Sequence, residues 1–529
     1  MDSWLLSLLI AGVVFAIFQL RTVGQRPAGC PPGPPTLPII GNLHQIPNKN
    51  THVQFKKWAD EYGPVYSLVL GTTIMIVLSS DAAIKDLTRG VESTHRAQIC
   101  ISVPWQAAGF AWSLCDTWRQ FRKLFHSFTH LGAAKSYVPY QDLESTSMMV
   151  SLLDNPDLVF DHIRRFTTSL STQMIYGFRT PRTDDPMLLQ MYDGFEKWST
   201  LIGAGPAKLL DVFPVLRSLP AAIRPLYSHA LALQKKKSEL SFGLWQDAKR
   251  KVEDKTSKPC FCVGLVQAQA EEGLTDHVAG MIASSALEAG SDTTASTLTG
   301  FLQAMVLYPA AQKSAQASID RACADRFPTI ADMDNPETQY IHACVKESLR
   351  WMPTTILGVP HAVTVDDEYM GYRIPKGAGV VYNVWAVHMD PRRYPNPRAF
   401  DPTRYMQDLA SSAESAQNSD VSQRDHFAFG AGRRICVGMH VVDRSMFLVI
   451  ARLMWAFDIS KAVDVDGDDF VGGILVRPRP FPVKITPRSE SRAAKVREAW
   501  AACQVLLDQG QQWKQVPEGM PFTTYTGGD

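Results

Sequence analysis

The sequence predicts a mainly α-helical body with a minor β region, preceded by one N-terminal transmembrane helix. Three observations carry this. Most of residues 115 to 350, and again the stretch from Cys436 to Phe457, has a helix-like apolar pattern. Strand and turn chemistry is concentrated in "PVYSLVLGTTIMIVLSS" at 64–80 and "YMGYRIPKGAGVVYNVWAV" at 369–387. The third is "SWLLSLLIAGVVFAIFQL" at 3–20, which carries no charge and meets the lower length limit for a helix that spans a bilayer.

Only Asp2 and the α-amino group precede that apolar run, and Arg21 and Arg26 follow it. A cleaved secretory signal begins with basic residues, and this segment does not. Positive charge on the downstream flank places the rest of the chain in the cytoplasm, so residues 1–21 read as an uncleaved anchor. "CPPGPPTLPIIGN" at 30–42 follows. Prolines fix φ and remove donors, which makes 22–42 a stiff spacer between membrane and body. Beyond it no second linker, repeat or low-complexity tract divides the chain. One body at 43–487 is therefore expected, although 529 residues would allow about three domains.

"VQFKKWADEYG" opens that body as a helix, and Gly71 interrupts the next β-branched run as a hairpin turn. "QDLASSAESAQNSDVSQRD" at 407–425 is polar and Ser-rich and reads as an exposed loop. Residues 488–529 form an extension, with an amphipathic helix at 491–509 and a loose tail. Lys and Arg total 53 against 52 Asp and Glu, a balance that gives no case for nucleic-acid binding. Nine cysteines, an odd number with no C-x-x-C and no zinc-like spacing, point to a reducing compartment in which Cys436 is a free thiol.

"FGAGRRICVG" at 429–438 places three glycines and two arginines around that thiol. It can be a glycine-rich turn before a helix with a buried free cysteine. Alternatively, the glycines let the backbone lie close to something flat while the arginines hold the sulfur as thiolate. A helix starting at Val437 would add its free N–H groups to that field. Elsewhere, "EAGSDTT" at 288–294 sets Asp292 beside Thr293 in an apolar helix, either a simple polar notch or a carboxylate kept for a task. Gly290 lowers the wall of that helix, and a Thr hydroxyl there can disturb helical bonding. "KESLR" sets Glu347 and Arg350 on one helix face, and "WRQFRK" does the same for Trp118 and Arg122. As isolated patterns these are surface features.

Together they are more specific. F429-x-x-G432-x-R434-x-C436-x-G438 resembles, position for position, the haem-binding loop of the cytochrome P-450 monooxygenases, and the other motifs follow in that family's order over residues 30 to 487. The resemblance implies a haem-thiolate fold in which Cys436 is the axial ligand of haem b iron. It also implies that Phe429 packs near the sulfur, Gly438 leaves room for the macrocycle, and Trp118, Arg122, His361 and Arg434 contact the propionates. Asp292 and Thr293 correspond to the acid–alcohol pair that delivers protons. Glu347, Arg350 and Arg404 of "FDPTRY" correspond to a structural cluster.

The activity implied is that of an oxidoreductase, a monooxygenase on the endoplasmic reticulum membrane with its catalytic domain in the cytosol. Its electrons would come from NADPH through a separate flavin-containing cytochrome P-450 reductase, with cytochrome b5 as a further partner. No G-x-G-x-x-G accompanies the haem motifs, so no reductase is fused to the chain. The nearest type is the microsomal one of fungal secondary metabolism. Two rivals remain: a haem-thiolate isomerase or dehydratase needing no reductase, and a non-enzymatic membrane haem sensor. The acid–alcohol pair speaks against both. Four uncharged segments, 99–112, the helix wall 281–290, 354–360 and 472–476, predict a bulky, mostly apolar substrate, with Ser284, Ser285 and Thr354 or Thr355 orienting one polar group. "DVFPVLRSLP" at 211–220 adds a candidate second membrane contact. Arg119, Lys123 and Arg433 offer a basic docking face.

Overall fold

Six-residue runs of mostly aliphatic and β-branched residues on either side of Gly71 pair as an antiparallel hairpin, β1 (Val65–Leu70) and β2 (Thr73–Leu78). Gly71 is required twice over: its φ is +57°, and a Cβ there would lie 2.3 Å from a methyl of Val212. The computed structural model describes residues 22–89, 99–100, 116–203, 212–220, 222, 227–473 and 475–520, with backbone only at 89, 99–100, 116–120, 199, 202–203 and 217. The hairpin grows into a five-stranded sheet by adding β3 (Ile99–Cys100), β4 (His361–Val363) and β5 (Gly379–Tyr382), in the order β1-β2-β5-β4-β3. Helix α1 (Thr51–Tyr62) covers it, packing Phe55 and Trp58 against Tyr66.

The rest is helical around one long element. The helices that matter below are α2 (Asp81–Arg89), α3 (Asp116–Thr129), α4 (Val138–Asp154), α5 (Val159–Tyr176), α6 (Tyr227–Glu253), α7 (Asp276–Leu307), α8 (Gln339–Trp351), α9 (Val384–His388), α10 (Ser412–Ala416), α11 (Met439–Ala456) and α12 (Glu490–Gln504). A two-residue strand, β6 (Arg477–Pro478), lies against α7. The Thr275 hydroxyl caps α7 by accepting from the Val278 N–H, and Pro309 opens the next helix immediately after it. Thirty-two residues give α7 a length of about 48 Å. From Ser291 to Val306 it is buried on all sides except at Thr293, as a helix that other helices surround must be. Glycines mark three close approaches: Trp245 of α6 at Gly280, Ser171 of α5 at Gly290 and Met352 at Gly300.

Three expectations change. The proline-rich segment is bonded along β1 and does not hang free as a spacer. Ser67 donates from its N–H to Pro32 O at 2.7 Å and from its hydroxyl to Pro31 O at 2.6 Å, and Asn42 closes the other side through Val69 N–H at 2.8 Å. The Ser-rich stretch is exposed as expected at 417–420 but is not a loop throughout. Ser411 and Glu414 form a capping box that starts α10, and Ser412, Ala413, Ser415 and Ala416 are buried. Its hydroxyls find partners inside, Ser412 with His426 at 2.8 Å and Ser415 with the Asp425 N–H at 2.8 Å. Finally, Gly290 abuts α5, where a Cβ would sit 2.6 Å from the Ser171 hydroxyl, so its small size serves helix packing. Residues 3–20 lie outside the described residues; among those described, no helix is long and apolar enough to cross a membrane.

The C-terminal extension closes over a buried ionic cluster. Glu144 of α4 is fully buried between Arg165 of α5 and Arg179, with Arg179 Nε at 2.6 Å and the Gln173 amide at 2.8 Å. Burial alone would raise its carboxyl, but the two guanidiniums hold it below the usual range. Arg179 also donates to Gln511 O at 2.8 Å, Gln512 pairs with its backbone, and the Trp513 indole donates to Gln173 at 2.6 Å. Residues 511–513 are thus bonded into the core, with Trp513 and Met520 buried. Glu144→Gln should cost about 3–5 kcal/mol, because it leaves two buried guanidiniums without a counter-charge. Denaturant unfolding measures this, and a loss under about 1 kcal/mol would contradict the role given to Glu144.

Candidate active site

The loop before α11 doubles back so that the Cys436 N–H donates to Phe429 O at 2.8 Å. Gly430 and Gly432 make its two left-handed steps, at φ +74° and +65°. At Gly432 a Cβ would also lie 2.8 Å from the Thr88 carbonyl of α2. Helix α11 starts at Met439 with Gly438 as N-cap, two residues later than a start at Val437. The N–H groups of Gly438 and Met439 are therefore the ones that act on the Cys436 sulfur.

Burial pushes that thiol up, while the Gly438 N–H, the Arg122 guanidinium and the Met439 N–H pull it down without overcoming burial. This corrects the expectation that the neighbouring arginines hold the thiolate. The nearby cation is Arg122 of α3, whose Nη1 donates to Ile435 O at 2.6 Å. Arg433 is exposed. Arg434 instead faces His361 and Tyr382, which stack at 4.7 Å. Burial, then Arg434, lowers His361 to about 4, so the imidazole is neutral at physiological pH. Phe429 is buried edge-on to His426 at 5.1 Å. Trp118 lies on α3 one turn before Arg122, and its side chain is outside the described residues.

A second group holds the loop from behind. Both Glu347 oxygens accept from Arg350 at 2.7 Å, and Arg404 Nε stands 3.5 Å from the same carboxylate. The other Arg350 donors go to the carbonyls of His388, Pro397 and Ala399 at 2.7 to 3.1 Å. His388 of α9, which the sequence reading passed over, completes the connection. Its Nε2 accepts from the Phe427 N–H at 2.7 Å, so its Nδ1 carries the proton and donates to Arg350 O at 2.9 Å. Full burial, with His426 and Arg350 nearby, keeps this imidazole neutral.

In its middle, α7 presents a strip that its neighbours leave uncovered: Ser285, Ala286, Glu288, Ala289, Gly290 and Thr293 are partly or fully accessible, whereas the helix from Ser291 to Val306 is otherwise buried. Thr293 bends its hydroxyl back to Ala289 O at 2.6 Å, the local bond its position predicted. Asp292 is about 100° further round the helix and points elsewhere. It is buried, 3.8 Å from Arg477 of β6. Burial raises its carboxyl, while Arg477 and then Arg164 oppose the rise. Of the four predicted lining segments, Thr354 and Val476 are joined by a 2.8 Å backbone bond. Ile356 and Val476 are core, and residues 101–112 lie outside the described residues. Arg477, His388 and Lys237, which pairs with Glu288, come from distant segments that no local pattern connects.

Replacing His388 by leucine removes both of its bonds and strands the Phe427 N–H and the Arg350 carbonyl, at about 1–3 kcal/mol each. Urea unfolding should show a loss of that order, and an unchanged midpoint would mean that the loop is held some other way.

A flat macrocycle with a central metal and two edge carboxylates needs a sulfur facing open space, small residues opposite and cations at its rim. Cys436 keeps part of its surface accessible, Ala289 supplies the small residue, and Arg122 and Arg434 supply the cations. The residues present fit haem iron. The family model described as Cytochrome P-450 matches residues 31–485. A cytochrome P-450 monooxygenase of Hypocrea virens, virE, is 47% identical over 97% of this chain and 95% of its own length. Another, fogE of Aspergillus ruber, is 46% identical over 98% of both chains. The chain belongs to the cytochrome P-450 family and is an oxidoreductase of the monooxygenase kind.

Proposed function

We propose that Cys436 is the axial thiolate of haem b, with Arg122, Arg434, His361 and Trp118 at the propionates and Gly438 leaving room beside the sulfur. The observation that carries this is a loop shaped by two left-handed glycines, with its sulfur acted on by two backbone N–H groups and one guanidinium. The bound group supplies oxygen activation, so that one oxygen atom enters an organic substrate and the other leaves as water. Since burial and the local donors leave the free thiol raised, deprotonation of Cys436 accompanies metal binding.

Proton supply falls to α7. Thr293 Oγ1 holds a proton at the uncovered strip, donated at rest to Ala289 O. Asp292, raised by burial and checked by Arg477, can exchange a proton and pass it on. The two side chains leave the helix in different directions, so transfer requires the carboxyl to turn away from Arg477. Glu347, Arg350 and Arg404 act structurally, by fixing the loop. A relay of this kind has no task in an isomerase or a haem sensor.

The substrate is a bulky, mostly apolar small molecule of secondary metabolism, laid along Ala289 and the 354–360 and 472–476 segments. Electrons come from NADPH through a flavin-containing reductase, with cytochrome b5 as a second donor. The docking face carries the exposed Lys123 and Arg433. Residues 3–20 anchor the chain in the endoplasmic reticulum membrane. Exposed Leu37, Ile39 and Val215 flank the β1–β2 turn, through bonds of Gly71 to Ile40 O and of Thr72 to Val212 O, and offer the membrane a second apolar contact.

Cys436→Ala should abolish the thiolate-type carbon monoxide difference spectrum of the reduced protein, and its retention would remove Cys436 as ligand. Thr293→Ala should leave haem content unchanged and divert reducing equivalents to hydrogen peroxide. Unchanged product per NADPH would take Thr293 out of proton delivery.

A further inference from the structure

Helix α7 meets α6 along a cleft lined by Lys237, Ser241 and Phe242 on one side and by Met281, Ser284 and Ser285 on the other, with the exposed His277 two turns before Ser285 at its far end. Its floor is polar and internally bonded: the Ser241 hydroxyl donates to Ser284 at 2.7 Å, and Lys237 pairs with Glu288 at 2.7 Å. Ser285 also belongs to the uncovered strip, one helical turn before Ala289 and about 12 Å along the axis from Thr293. Ser285 thus both lines the cleft and shares the helix face that runs on to Ala289 and Thr293. Little else on that strip is charged or strongly polar before Asp292, which is turned away.

The chemistry of this corner is specific. Lys237 and Glu288 balance each other, so neither a carboxylate nor an ammonium gains a net counter-charge there. The proton of Ser285 is committed to Met281 O at 2.8 Å, which leaves the hydroxyl oxygen as an acceptor. Glu288 stands just behind the lining, where its oxygens accept from Lys237 at 2.7 Å and from Ser284 at 3.5 Å and keep lone pairs for a further donor. An acceptor-rich, charge-balanced corner suits a neutral group that donates a hydrogen bond.

We propose that this corner is the polar subsite of the substrate pocket and that the substrate is a neutral amphiphile. Its hydroxyl group donates to Ser285 and Glu288 while its apolar body extends along α7 toward Thr293. The inference rests on the monooxygenase reading above and narrows its substrate class from apolar to hydroxyl-bearing.

Dodecan-1-ol, its methyl ether and dodecanoate have the same chain and differ in donor and charge. Each is titrated into the full-length haem protein and followed by the haem spectral shift. The alcohol should bind about tenfold more tightly than the ether, as one hydrogen bond to a partly buried charged group allows, and more tightly than the carboxylate. The paired exchange Lys237→Leu with Glu288→Leu leaves no lone charge, and together with Ser285→Ala it should bring the alcohol and the ether to equal affinity. Equal binding of alcohol and ether by the unaltered protein, or tightest binding of dodecanoate, overturns the proposal, as does a preference for the alcohol that survives these exchanges. The carbon monoxide spectrum of the same samples separates the two levels. A protein with no thiolate-ligated haem would sink the monooxygenase reading and this one with it, whereas a normal spectrum without alcohol preference sinks this one alone.

Discussion

The bidentate bond between Glu347 and Arg350 is the constraint on which the site depends. A guanidinium fork matched to a carboxylate has one good geometry, and here both partners are fully buried. Once Arg350 is oriented by Glu347, its remaining donors are aimed at three carbonyls between His388 and Ala399. Those contacts set α9, and His388 on α9 then fixes the Phe427 N–H two residues before Phe429. Glu347 also accepts from the Asp401 N–H at 2.8 Å, tying in the segment that carries Arg404. Breaking one member is costly because the others stay buried and charged. The sulfur-bearing loop is thus positioned from behind, through His388 at Phe427, by groups that never touch the sulfur.

Helix α7 solves a different problem. It must be apolar enough to sit at the centre of the fold and still carry a carboxylate and a hydroxyl. Asp292 and Thr293 leave it by different faces. Thr293 faces the uncovered strip and bonds its own helix, which settles the hydroxyl locally. Asp292 faces β6, where Arg477 partly offsets its burial from 3.8 Å. A separation of 3.8 Å is longer than a hydrogen bond, so the carboxylate is attracted but not clamped. That suits a group expected to turn. The same helix gives up side-chain volume at Gly280, Gly290 and Gly300, where its neighbours come closest.

What the sequence made legible is what lies within one local motif. The loop from Phe429 to Gly438, the Glu347–Arg350 pair and the hairpin at Gly71 each lie within a single short stretch, and each is found where its pattern placed it. The direction a residue faces was harder to read. Gly290 keeps the accessible surface of a wall position but also packs against Ser171 of α5, a contact set by a neighbour that the local sequence does not contain. Composition misled at 407–425 for a related reason. Serines there suggest solvent, yet Ser412 and Ser415 are buried with their hydroxyls satisfied. His388, Arg477 and Lys237 were out of reach because their partners lie in other segments. A lone histidine or arginine has no signature until the chain is folded.

Electrostatic perturbation alone would point to the wrong residues here. Burial pushes Asp425 up to about 7 and Asp443 to about 6, and it lowers His426 to about 3. By the usual association of shifted groups with function, these three would rank high. Yet each is enclosed by structural partners: Lys346 stands 3.1 Å from Asp425, the Ser412 N–H donates to Asp443, and Ser412 bonds His426. The groups assigned to chemistry are distinguished by access. Cys436, Ala289 and Thr293 keep accessible surface inside a well-packed molecule, and Glu288 and Ser285 continue that surface into the cleft between α6 and α7. Interiors close over every group that has no reason to meet a ligand. A strip of uncovered side chains on a helix at the centre of the fold is therefore a stronger mark of a candidate site than any shift in acidity.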